Sequence, residues 1–123
     1  MKKIIKIGNS EYEMKSSAYT QFKYKNETGR SLLKDLSSFA KTYEKVEDKD
    51  VLKNIDGLDD TLELVFKLAY IMIIEANDKQ VSSYDDFLKN TDNYLENSDW
   101  IGEVVELATS PLSGGIQAPQ NNG

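Results

Sequence analysis

Residues 62–76 read Leu62-Glu63-Leu64-Val65-Phe66-Lys67-Leu68-Ala69-Tyr70-Ile71-Met72-Ile73-Ile74-Glu75-Ala76, the most apolar stretch of an otherwise hydrophilic chain. From Leu68 to Ile74 there is no charge and a single hydroxyl. Three isoleucines would suit a strand, but strands are short and bounded by turn residues. This segment is long, rich in Leu, Ala, Met and Glu, and preceded by Asp59 and Asp60, either of which can cap a helix. Apolar positions cover nearly the whole circumference, as in a helix that other elements enclose on most sides. A membrane span needs at least about 18 consecutive apolar residues. Lys67 and Glu75 interrupt the run well short of that. The expectation is α+β, mainly α: an N-terminal β-hairpin followed by four to five helices packed around a central apolar helix over about 59–77.

The flanking segments supply the rest. Lys2 to Ile7 alternates, Gly8-Asn9-Ser10 is turn chemistry, and Glu11 to Lys15 alternates again, with Tyr12 and Met14 on one face. That is a hairpin signature, Gly or Asn providing the positive φ of a tight turn. A lone hairpin is marginal in water, so its apolar face must dock on the helices or on a neighbouring subunit. Ser16 or Ser17 can cap a short helix containing Ala18, Tyr19 and Phe22, which Gly29 can end. A second helix, about 30–45, places Leu32, Leu36, Phe39, Ala40 and Tyr43 on one stripe and Lys34, Asp35, Lys41 and Glu44 opposite. Residues 46–57 form a polar connection. Ser83-Tyr84-Asp85-Asp86 has the capping-box form and leads a short helix to about Asn90 or Leu95. Ser98 or Asp99 starts a last helix on which Trp100, Ile101, Val104, Val105 and Ala108 stack, and Pro111 is expected to stop it. The domain reading is a single α-rich unit over 1–110, with the hairpin over 1–15 and a flexible tail over 111–123.

At 123 residues the chain can build one real core. Net charge is −6, which disfavours general nucleic-acid binding. Residues 1–25 carry six lysines against two glutamates, so the remainder carries −10, an asymmetry compatible with head-to-tail self-association or an acidic partner. Cys and His are both absent. That removes disulfides, thiolate chemistry, Cys/His zinc sites and any histidine base. The lysine-broken start, Met1 to Ile7, is not read as a signal peptide.

Little else carries chemistry. Asn54, Asp56, Gly57 and Glu63 fall at positions three, five, six and twelve of a calcium loop, but Leu52 stands at position one and cannot ligate, so a capping loop is the reading and no metal is expected. The acidic pairs Asp48/Asp50, Asp59/Asp60 and Asp85/Asp86 sit in polar loops or at helix starts, where carboxylates complement the macrodipole. Lys67 and Glu75 are two turns apart on the central helix and must snorkel or find partners elsewhere. Tyr19, Phe22 and Tyr24, beside Lys23 and Lys25, could stack bases, yet core packing of the first two with Tyr24 exposed suits an acidic chain better. No glycine-rich phosphate loop is present; neither an enzyme nor a cofactor is expected.

The order of segments resembles the tail assembly chaperones of long-tailed, siphovirus-type bacteriophages. The likeness runs over most of 1–110: the hairpin Ile4 to Met14, then Phe22-Lys23-Tyr24-Lys25 leading to Gly29-Arg30-Ser31-Leu32-Leu33-Lys34-Asp35-Leu36, the apolar central helix, Tyr84-Asp85-Asp86-Phe87-Leu88, and Trp100-Ile101-Gly102-Glu103-Val104-Val105. Members often carry an acidic residue soon after the glycine matched by Gly29, where this chain has Ser31. The resemblance implies a mostly helical protein of the host bacterial cytoplasm that binds the tape measure protein, keeps it soluble and helps recruit tail tube subunits. It also implies ring or helical homo-oligomers, and a second product extended by a ribosomal frameshift, with which the tail after Pro111 is compatible. Ile5, Ile7, Tyr12 and Met14 on the hairpin, with Tyr19, Phe22 and Tyr24 after it, are the candidate partner-binding or self-association residues. The alternative, motivated by the acidic stretch Glu44 to Asp60, is a small acidic regulator or inhibitor: a nucleic-acid mimic or a protein-binding adaptor.

Overall fold

The computed structural model describes residues 1–46, 58–77 and 81–122, and the side chains of these apart from 45, 46 and 113–122. The order is β1 (Lys2–Ile7), β2 (Ser10–Lys15), α1 (Ala18–Thr28), α2 (Leu32–Val46), α3 (Leu58–Ala76), α4 (Tyr84–Lys89) and α5 (Asp99–Asn122). This is the expected mainly helical α+β arrangement, a hairpin followed by five helices. The acidic connection over 47–57, with the weighed calcium loop, lies outside the described residues.

The hairpin is antiparallel, with Ile5 opposite Tyr12 and Ile7 opposite Ser10. Gly8 has φ +61°, and Asn9 is not among the positive-φ residues. Positive φ at the first central position alone is the type II′ pattern, whose twist matches that of the strands. Space makes a second demand at Gly8, because a Cβ there would lie 1.6 Å from the backbone oxygen of Asp92. The turn over 90–93 therefore clasps the hairpin tip: Asn9 Nδ2 donates to Asp92 Oδ1 at 3.1 Å, and the Tyr12 hydroxyl lies 2.7 Å from Thr91 Oγ1. Ile5, Ile7 and Met14 are completely buried, β2 lying against α3 and β1 against α5.

α3 is the scaffold that its composition suggests. Leu62, Val65, Phe66, Leu68, Ala69, Ile71, Met72 and Ile73 are buried on it. The hairpin and all four other helices touch it. An aromatic chain runs through one end of this core: Phe66 meets Trp100, Tyr94 and Phe87 with ring centroids 5.0, 5.1 and 6.0 Å apart, and Phe87 meets Tyr12 at 5.1 Å. Such pairs add about 0.5–1.5 kcal/mol each beyond their burial.

Two expectations are overturned. α5 does not stop at Pro111 but spans Asp99–Asn122. A proline inside a helix deprives the carbonyl four residues back of its donor. Here that carbonyl, on Leu107, accepts the hydroxyls of Ser16 at 2.6 Å and Ser110 at 2.8 Å, so its bonding is met from outside the ladder. The second correction concerns α2, where Asp35 is buried rather than solvent-facing, while Leu33 and Ala40 are exposed. Asp35 turns inward because it has partners there. Tyr24 Oη donates to it at 2.6 Å, and Arg30 Nε and Nη2 donate at 2.8 and 2.9 Å.

Candidate partner-binding surface

α1 carries most of what the fold leaves uncovered. Ser17 caps its start in a reciprocal box with Thr20, and Gly29, at φ +72°, ends it. The buried residues of α1 are Thr20 and Tyr24, one turn apart on the inner face. Tyr19 and Phe22 face solvent, 49% and 61% exposed. This reverses the expected order, in which Tyr19 and Phe22 packed and Tyr24 stood free. Hydrogen bonding decides it. Ser17 Oγ and Thr20 Oγ1 each donate to the Glu75 carboxylate at 2.7 Å, and Tyr24 reaches Asp35, so the polar residues of α1 claim its inner face. Glu75, whose partner the sequence leaves open, thus ties the start of α1 to the end of α3.

The seven candidate residues therefore part company. Ile5, Ile7, Met14 and Tyr24 lie wholly in this chain's own core and offer no surface. Tyr12 is half-buried, edge-on to Phe87 and close to Thr91. Tyr19 and Phe22 alone of the seven stand free. On the outer face of the hairpin Ile4 is also exposed, in the company of Lys2, Lys6 and Glu11.

Between α1 and α3 runs a groove of about 220 Å³, which Tyr84 of α4 also lines. Ile71, Ile74 and Tyr70 give it an apolar lining; Lys23, Glu27 and Lys67 edge it. Lys23 is matched with Glu27 at 2.9 Å, and that carboxylate raises the affinity of its ammonium for a proton. Among the described residues Lys67 has no carboxylate within ion-pair distance. The Tyr84 hydroxyl is the one buried side-chain polar atom without a hydrogen-bond partner among those residues. Burial, followed by the charges of Glu63 and Asp85, pushes its pKa up to about 12, so it stays a neutral donor. The sequence singled out Lys67 as a charge in an apolar run. It gave no sign of Tyr84, which reads there as a residue inside a capping box.

Elsewhere a polar cleft of about 510 Å³ separates Lys6 and Asn9 of the hairpin from Glu96, Asp99 and Glu103. Among the described residues no group of three or more Asp or Glu side chains is placed to hold a metal ion, and no helix is long and apolar enough to cross a membrane. Compared with models of protein families, with curated proteins and with solved structures, the chain matches none.

Proposed function

We propose that the chain is a non-catalytic assembly chaperone of the phage-tail kind, binding the tape measure protein through the outer face of α1 and helping bring tail tube subunits to it. The observation that carries the reading is the inverted face of α1, with Thr20 and Tyr24 inside and Tyr19 and Phe22 outside. A partner that buries such a phenylalanine side chain recovers up to about 1.5–3 kcal/mol. Exposed aromatics of this kind make anchors for a partner chain. The order of segments shared with the phage proteins supplies the choice of client, and with it the host bacterial cytoplasm and a homo-oligomer.

The test is co-expression of a tape measure protein encoded beside this chain. Wild type is expected to co-purify with it and raise its soluble yield, with little dependence on salt. A Tyr19→Ser/Phe22→Ser variant is expected to lose capture while melting at the wild-type temperature. Capture and solubility indifferent to both the chain and the variant would end the proposal. The acidic-regulator alternative rests on Glu44 to Asp60, most of which lies outside the described residues; it requires a strict monomer whose partner is released as salt rises.

A further inference from the structure

The groove between α1 and α3 contains a cation that no carboxylate among the described residues meets, the Lys67 ammonium. The ammonium seeks acceptor oxygens, and Ile71 and Ile74 beside it in the lining are apolar. The volume, about 220 Å³, falls below the roughly 300–1,000 Å³ of sites for whole small ligands. It suits one or two side chains of something larger. Charge narrows the choice, because Lys23 is already matched by Glu27, whereas Lys67 meets no carboxylate among the described residues. The outer lip is α1, where Tyr19 stands one turn before Lys23, so the groove opens beside the exposed aromatic face.

We propose that this groove docks a peptide segment of a partner protein in which an apolar side chain sits next to a carboxylate. The apolar side chain packs on Ile71 and Ile74, and the carboxylate pairs with Lys67. This deepens the partner-binding reading above and rests on it only in taking the segment to belong to a client protein. A nucleic-acid strand is the poorer fit, since the lining is largely apolar and the chain carries −6.

The experiment titrates the full isotope-labelled chain with a blocked peptide of glycine, leucine, aspartate, leucine and glycine, and with its asparagine counterpart, following amide shifts by NMR. The acidic peptide should give saturable shifts at Lys67, Ile71, Ile74 and Tyr84. The asparagine peptide should bind about tenfold more weakly, the worth of one charge-assisted bond. Lys67→Gln should bring the acidic peptide down to the level of the other. Equal affinity for the two peptides, or the absence of shifts at those four residues, overturns the proposal without recourse to any variant. A tape measure protein captured equally by Lys67→Gln and wild type refutes the groove but leaves the chaperone reading standing. A wild-type chain that captures none refutes that reading, and the peptide titration still decides the groove.

Discussion

Replacing Asp35 by alanine removes the acceptor on which three donors converge. Tyr24 Oη and Arg30 Nε and Nη2 all reach it within 2.9 Å, and the residue is 5% exposed. The two donor residues respond differently. The Arg30 side chain is 54% exposed and rehydrates on losing its partner, so it adds little to the cost. Tyr24 is fully buried, and its hydroxyl would be stranded at about 1–3 kcal/mol. With the lost packing, about 2–3 kcal/mol is expected, or roughly 8–12 °C in melting temperature for a domain of this size. Adding Tyr24→Phe removes the stranded hydroxyl, so the double variant should recover at least about 1 kcal/mol. The hydrogen bonds from Arg30, then that from Tyr24, hold the Asp35 carboxyl below its ordinary range, against the opposing effect of burial. A depressed carboxyl stabilises above its unfolded pKa of about 3.9 and loses that contribution as pH falls through its folded value. The gap between wild type and Asp35→Ala should therefore be full near pH 6 and narrow at the acid end. Thermal unfolding followed by circular dichroism at several pH values measures it. A variant melting within about 2 °C of wild type at pH 6, or a gap that widens toward acid, would refute the reasoning.

Three further outcomes are expected. Gly8→Ala should cost at least about 2 kcal/mol, because the new methyl meets a backbone oxygen and the residue holds a left-handed φ; a melting curve like that of wild type would mean the 90–93 turn does not clasp the hairpin. Ser16→Ala should cost about 1 kcal/mol in wild type and clearly less in a Pro111→Ala background, where a backbone N–H again serves the Leu107 carbonyl; a double-mutant cycle in urea reads the difference. Phe66→Ala should cost about 3–5 kcal/mol and erase the near-ultraviolet signal of Trp100, whose ring it meets at 5.0 Å; retention of that signal would show that the aromatic chain packs independently of α3.

What the sequence reveals about this protein follows the range of the interactions involved. The cap at Ser17, the stop at Gly29 and the cap at Ser83 each act within a few residues, and all three are legible from residue type and spacing. The central helix is legible because a run of apolar residues admits few alternatives. The errors lie where polar groups distant in sequence meet. Ser16 and Leu107 are 91 residues apart, and their bond is part of what lets a helix pass through Pro111. Tyr24 and Asp35 are closer, yet each reads as a surface residue on its own helix, and the pairing that buries both is invisible to a periodicity argument. The groove was half legible: Lys67 stood out as a charge without an evident partner, whereas the isolation of the Tyr84 hydroxyl is a property of its surroundings alone.

The face that α1 turns outward follows from these polar contacts. On a helix, Phe22 lies about 200° from both Thr20 and Tyr24, so no rotation buries all three. Turning Phe22 inward would recover about 1.5–3 kcal/mol of apolar burial. It would also carry Thr20 and Tyr24 outward, taking the Tyr24 hydroxyl from Asp35 and the Ser17 and Thr20 hydroxyls from Glu75. Each carboxylate left short of donors costs about 1–3 kcal/mol, and the burial of the Tyr24 ring is lost besides. Two carboxylates and the Tyr24 ring outweigh one phenyl ring, and the helix settles with Tyr19 and Phe22 in solvent. Those contacts also hold α1 to α3 at its start and to α2 further along, so Tyr19 and Phe22 are presented on a fixed support. A partner that covers them gains apolar area with little ordering of the helix to offset it, which is the condition under which a small surface binds well.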